Sequence, residues 1–248
     1  LAGVSDYPFR QMCSLHGGAD LTYVEMLSAA ALYRRNTRTL SMMTRHPNEP
    51  KLGVQLTGST PDEVAKGVAV INEFSFDTID INMGCPVRKV VNQNAGSAII
   101  KNPETAHAMV AAACKETSTP VTAKIRIGWD RNSLNYLEVA DAVQSAGARW
   151  LTVHGRTRNE DYSKPVDLEC IAKIKEALKI PVIGNGNIVC PSSAKMMKEQ
   201  TGVDGLMVAR GALGNPWIFQ SIRDASKLTI SLKDWIKGVE DHIRWQIS

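Results

Sequence analysis

Short apolar runs separated by stretches of helical spacing recur from one end of this chain to the other. Segments 1–3, 21–24, 53–56, 77–82, 121–126, 150–153, 180–184 and 205–208 read as strands. The helices between them announce their ends. Pro8 suits the first turn of a helix that stops at Gly17-Gly18. Thr60-Pro61-Asp62-Glu63 is a capping box, followed by Val64, Val68, Ile71 and Phe74 at helical spacing. Asn102-Pro103-Glu104 opens another helix with Ala106, Met109, Val110 and Ala113 on its inner face. Ser133 is placed to cap a helix that buries Leu137, Ala140 and Val143, Asp167 caps the next, and Pro191 opens one that Gly202 closes. Residues 27–47 are polar and mixed, and read as a long connection.

Strands that alternate with helices need crossover connections, so the sheet is parallel. Eight such units within 248 residues point to a TIM (β/α)8 barrel. No GxGxxG follows any strand, which counts against a doubly wound open sheet. Residues 228–248 differ from the rest. Trp235, Val239, His242 or Ile243, and Gln246 have the spacing of an amphipathic helix, so the expected division is a barrel over 1–227 and the start of a C-terminal helical segment over 228–248, with Trp235 and Trp245 as core residues lacking partners.

Composition narrows the class. Hydrophobic residues make up 44% of the chain, enough for a large core, and the formal charge of +4 is mildly basic. Arginine and lysine cluster at Arg34, Arg35 and Arg38, at Arg88 and Lys89, and at Arg156 and Arg158. The five cysteines are scattered, with no CxxC pair and no zinc-like spacing, which implies a reducing compartment and no structural metal. No leader pattern and no apolar run near 18 residues is found, so no membrane association is expected. Leu1 is not an initiator methionine, so residues are expected to precede it.

The candidate chemistry gathers where the strands end. Asp80-Ile81-Asn82-Met83-Gly84-Cys85-Pro86 leaves a strand and places a thiol three residues after an amide that can hold a heterocyclic base. Gln55, Lys124 with Arg126, His154 with Arg156, Asn185-Gly186-Asn187 and Ala209-Arg210 also stand at strand C-termini. In a barrel those ends form one mouth. The turns after the last two strands commonly seat a phosphate there, and Lys124 adds a cation for an anionic ring. FMN would fit that arrangement.

The segments Leu1-Ala2-Gly3-Val4-Ser5-Asp6, Asp80 to Pro86, Lys124-Ile125-Arg126-Ile127-Gly128-Trp129, His154-Gly155-Arg156-Thr157 and Val208-Ala209-Arg210-Gly211-Ala212 resemble the motifs of the tRNA-dihydrouridine synthases, bacterial branch, in family order across the whole chain. The resemblance implies a cytoplasmic, FMN-dependent oxidoreductase that uses NADPH or NADH to reduce the C5=C6 bond of particular uridines in tRNA. Cys85 would be the proton donor and would stay a protonated thiol until hydride arrives. FMN would contact Leu1, Ala2, Gln55, Lys124, His154, Asn185, Gly186, Asn187, Ala209 and Arg210, whereas Asn82, Arg126 and Arg156 would hold the uracil. The C-terminal segment would begin a helical tRNA-binding domain, and the expected assembly is a monomer. Asn187 stands where many relatives have aspartate, and Ala209 replaces a frequent glycine. Two other readings share these residues: a flavin barrel acting on a free pyrimidine, as dihydroorotate dehydrogenases do, and a catalytically idle tRNA-binding barrel. The arginine-rich segment 34–38 and the helical tail favour tRNA over a free pyrimidine.

Overall fold

The computed structural model of the chain describes residues 2–45, 49–226 and 228–247. Seven strands lie side by side in chain order and every neighbouring pair is parallel: β1 (Thr22–Ser28), β2 (Leu52–Thr57), β3 (Thr78–Met83), β4 (Val121–Arg126), β5 (Leu151–His154), β6 (Val182–Asn185) and β7 (Gly205–Met207). The helices are α1 (Tyr7–Gln11), α2 (Ala29–Tyr33), α3 (Thr37–Ser41), α4 (Pro61–Ile71), α5 (Arg88–Val91), α6 (Pro103–Glu116), α7 (Tyr136–Ser145), α8 (Leu168–Ala177), α9 (Pro191–Thr201), α10 (Ile218–Arg223) and α11 (Leu232–Ile247). This is the α/β barrel arrangement through seven of the eight expected units. Ala2, Gly3 and Val4 form a turn rather than the first strand, with Gly3 in the left-handed region at φ +75° and its N–H donated to the Glu25 carboxylate at 2.7 Å. Leu1 lies outside the described residues.

The alternation within the strands decides what the sheet encloses. Ile79, Ile81 and Met83 of β3, Val121, Ala123 and Ile125 of β4, and Leu151 and Val153 of β5 join the inner faces of the helices in one buried cluster. Their neighbours Thr78, Asp80, Asn82, Thr122, Lys124, Arg126, Thr152 and His154 therefore point to the opposite face, the barrel interior. Register stacks those interior residues in rows. Gln55 lies beside Asp80 and Asp80 beside Thr122; Asn82 lies beside Lys124 and Lys124 beside Thr152; Arg126, His154, Asn185 and Met207 follow one another across four strands. A bulge between Tyr23 and Met26 keeps both residues in step with β2 despite their odd spacing.

Several expectations shift in detail. β1 continues to Ser28, because it pairs with β2 as far as Thr57. The connection expected over 27–47 contains two short helices, capped by the Ser28 hydroxyl on the Ala31 N–H and by the Asn36 side chain on the Thr39 N–H. Glu63 reaches Ser59 rather than the Thr60 N–H, while Thr60 caps α4 as the box predicts. α7 starts after Asn135, not at Ser133, since the Ser133 carbonyl accepts from the Trp129 N–H and the Asn135 amide reaches the Ile100 carbonyl. Leu137 is 40% exposed and Val139 takes its place on the buried face. α11 rests its Gly238 against Met12 and Trp217, leaving Trp235, Val239 and Ile243 exposed. Trp245 does have a partner, the His16 ring at 6.3 Å. Among the described residues no helix is long and apolar enough to cross a membrane.

Candidate active site

Asp80 has no solvent exposure, and everything around the thiol is oriented from it. Its carboxylate accepts from the Thr122 hydroxyl at 2.7 Å and from the Gln55 amide nitrogen at 2.8 Å. With its nitrogen committed there, Gln55 turns its oxygen to Asn82, which donates at 2.8 Å. Asn82 in turn offers its oxygen to two main-chain N–H groups, Gly84 at 3.1 Å and Cys85 at 2.9 Å. The chain of polarity from a buried carboxylate to the cysteine turn leaves no amide free to flip. On its other side the Cys85 carbonyl accepts from the Ser97 N–H at 3.0 Å and the Ser97 hydroxyl at 2.9 Å. The Cys85 side chain remains partly exposed at the rim.

Burial raises the Asp80 carboxyl, and Thr122, Gln55 and the charge of Lys124 pull it back in part. Burial likewise pushes Lys124 down to about 8, helped by Arg126 and opposed by Asp80. A desolvated cation of this kind gains from any anion placed beside it.

Two arginines brace the same rim. Arg126 gives Nε to the Gly84 carbonyl at 3.0 Å and Nη1 to the carbonyls of Thr157 and Glu160, so it ties the cysteine turn to the loop after β5. Its Nη2 has no hydrogen-bond partner among the described residues. Arg156, with no exposure, is fully committed: Nε and Nη2 donate to the Lys164 carbonyl, Nη2 also to the Tyr162 carbonyl at 3.2 Å and the Asn187 side chain at 2.9 Å, and Nη1 to His154 Nε2 at 3.1 Å. That loop carries Tyr162 over the mouth. Its ring stacks on His154 at 6.2 Å and receives the Arg210 guanidinium at 3.9 Å.

The remaining predicted positions surround this centre. Asn185 is buried and donates to the Met207 carbonyl at 2.7 Å. Gly186 has φ +123°, and a Cβ there would lie 2.8 Å from Val166 and 3.0 Å from the His154 ring, so only glycine lets the turn close on the imidazole. Asn187, also left-handed at φ +52°, is exposed. Ala209 precedes the tight turn Arg210–Ala212 after β7. Ala2 is exposed in the N-terminal turn that Glu25 holds.

The dihydrouridine synthase family profile matches residues 1–244. The chain belongs to the dihydrouridine synthase family. It is similar to tRNA-dihydrouridine synthase B of Pasteurella multocida, at 36% identity over 98% of this chain and 75% of that protein. With tRNA-dihydrouridine synthase B of Pseudomonas aeruginosa the identity is 40% over 90% of this chain and 67% of the relative. A probable tRNA-dihydrouridine synthase 1 of Synechocystis is 39% identical over 90% of this chain and 62% of its own length. A chain of the Amycolatopsis orientalis BexX/CysO complex shares the fold alone, with a TM-score of 0.57 and 13% identity over 98% of this chain and 89% of that one.

Within this dihydrouridine synthase, His154 makes a measurable prediction. Burial, then the charges of Lys124, Arg126, Arg156 and Arg210, push it down to about 2. An arginine can only donate, so Nε2 accepts and the ring proton sits on Nδ1. Between an unfolded value of 6.5 and the folded one, the unfolded chain binds one more proton, so stability falls as pH drops through that window. Asp80, raised on folding, acts in the opposite sense, and the comparison with His154→Asn removes its contribution. From pH 6.5, where the unfolded imidazole is half protonated, to pH 4.5 the wild type is expected to lose about 2.3 kcal/mol relative to His154→Asn, the slope rising toward about 1.36 kcal/mol per pH unit, in urea unfolding. Parallel pH profiles for the two proteins would contradict a buried neutral imidazole.

Asp80, Thr122, Glu160 and Tyr162 are site residues that motif reasoning passed over. The first two were visible in the two-residue alternation of β3 and β4, which assigns them to the polar face. Glu160, which accepts from the Thr157 N–H at 2.7 Å, and Tyr162 lie on a loop and carry no periodic signal.

Proposed function

We propose that this chain is the catalytic barrel of a flavin-dependent tRNA-dihydrouridine synthase, with residues 228–248 beginning a helical tRNA-binding domain. The observation that carries the reading is a partly exposed thiol held by a buried polar relay on a polar rim. The residues present suit FMN. Lys124 offers a desolvated cation, Thr57 and Thr152 carry buried hydroxyls without partners among the described residues on or beside the interior face, and the left-handed Gly186-Asn187 turn and Arg210 offer a phosphate seat. When bound and reduced by NADPH or NADH, FMN would supply hydride for C6 of the uracil.

The chain's own groups supply the rest. Cys85 delivers the proton to C5, so the C5=C6 bond gains one hydrogen at each carbon and the thiolate is reprotonated from solvent. Uracil presents two carbonyl oxygens, and two donors near Cys85 remain uncommitted: Arg126 Nη2 and the second N–H of the Asn82 amide. Arg156 acts through the loop it holds, keeping Tyr162 across the mouth and His154 in one tautomer. Extruding the target base costs a few kcal/mol, offset by contacts to the surrounding backbone, for which Arg34, Arg35, Arg38, Arg88 and Lys89 are candidates.

The test uses the full-length protein, FMN, NADPH and bulk tRNA from cells lacking it. The expected result is a yellow protein that adds two hydrogens per target uridine, read by mass spectrometry and mapped by position. Binding of tRNA should weaken steeply with salt. Reduction or oxidation of a free pyrimidine without salt-sensitive tRNA binding would overturn the reading, as would a colourless protein that cannot take up FMN.

A further inference from the structure

A second feature of the same rim lies outside the thiol centre. Trp129 follows β4, and two cations stack on its indole: Lys101 Nζ at 3.5 Å from the ring centroid and the Arg158 guanidinium at 4.7 Å. Arg131, nearby in the chain, is neutralised by Glu160 and Asp167, each at 2.6 Å. Among the described residues, Lys101 and Arg158 form no ion pair with any carboxylate and the buried Arg158 Nε has no hydrogen-bond partner. The guanidinium donates from Nη1 to the Asn159 side chain at 2.8 Å.

The cluster is rigidly joined to the thiol. Lys101 closes the Gly96–Lys101 turn whose Ser97 holds the Cys85 carbonyl. The Arg158 N–H donates to the Gly128 carbonyl at 2.9 Å and the Asn159 N–H to the Trp129 carbonyl at 3.0 Å, which zips the loop after β5 to the loop after β4. Arg126 links that pair back to Gly84. The two cations are thus held by an aromatic plane at a fixed distance from the reacting group, and ordering them on binding costs little rotamer entropy.

We propose that Lys101, Trp129 and Arg158 form a seat for the phosphodiester backbone of the RNA strand that flanks the extruded uridine. The proposal rests on the tRNA reading above and adds to it a located subsite. Two cations without carboxylate partners suit a polyanion. Exposed Arg88 and Lys89, on α5 just past the thiol, extend the same positive rim.

The experiment measures tRNA affinity against salt, together with KM and kcat, for flavin-loaded full-length wild type, Lys101→Ala, Arg158→Ala and the double variant. The expected result is a salt slope shallower by about 0.7 for each cation removed, a several-fold higher KM for tRNA, and unchanged kcat at saturating tRNA and unchanged flavin content. Lys101→Arg should restore the slope. Because Lys101 is exposed, its variants test the seat even if Arg158→Ala folds poorly. Wild-type activity with variants of unchanged slope and KM overturns the seat alone. A lower kcat with an unchanged slope also overturns it, since the cluster would then be a prop for the thiol loop. A wild type that neither binds nor modifies tRNA overturns both the seat and the functional reading.

Discussion

Cys85→Ala is expected to lower the rate of dihydrouridine formation by about 10²–10⁴ while the protein keeps its flavin and its melting temperature. The reason is a division of labour within one residue. The structural duties of position 85 are carried by its main chain, through the N–H bonded to Asn82 and the carbonyl bonded to Ser97, and alanine retains both. The side chain is partly exposed, so removing its sulfur opens no sealed cavity. What disappears is the proton for C5. A single-turnover assay with pre-reduced enzyme and a tRNA transcript reads this directly, and near-normal product formation would end the assignment of Cys85 as the acid.

The second large effect is expected at Asp80, which does not touch substrate. Asp80→Ala leaves the Thr122 hydroxyl and the Gln55 amide without their acceptor and removes the counter-charge that steadies Lys124. Breaking a buried charged network in this way costs about 3–5 kcal/mol, which lowers the melting temperature by roughly 6–20 °C in a protein of this size. Asp80→Asn separates fold from function. Asparagine can keep its oxygen on the Gln55 N–H by turning its NH2 to the Thr122 hydroxyl, which rotates to accept, so the relay keeps its directions while the negative charge beneath it and beside Lys124 is lost. The charge-assisted bond that fixes Gln55, and through it Asn82 and the thiol turn, becomes a weaker neutral one. Turnover should fall more than stability does. An Asp80→Asn protein with wild-type kcat would show that the relay does not position Cys85.

Much of the architecture was legible before any coordinates. Thr60, Asn102 and Asp167 cap the helices they were expected to cap, because a cap depends on three or four consecutive residues. Ser133 misled because its own neighbourhood forms a small hairpin, with Gly128 bridged to Leu134, and local propensity yields to that pairing. The exposed stripe of α11 followed from spacing alone, whereas the contact of Trp245 with His16 joins residues more than 200 positions apart and left no periodic trace.

The sequence by itself determined that strands and helices alternate, which strand face is polar, and that a thiol, an amide, a lysine and a histidine stand at strand ends. These follow from periods of two and 3.6 residues and from turn chemistry, which are properties of neighbours along the chain. Tertiary structure alone decided which of those groups meet. Register set Asp80 beside both Gln55 and Thr122, loop closure committed Arg156 to main-chain carbonyls while leaving Arg126 Nη2 open, and folding brought Lys101 and Arg158 onto Trp129. The physical reason is that a hydrogen bond is satisfied by whichever partner the folded sheet and its loops bring within about 3 Å, and no pattern along the chain encodes that distance.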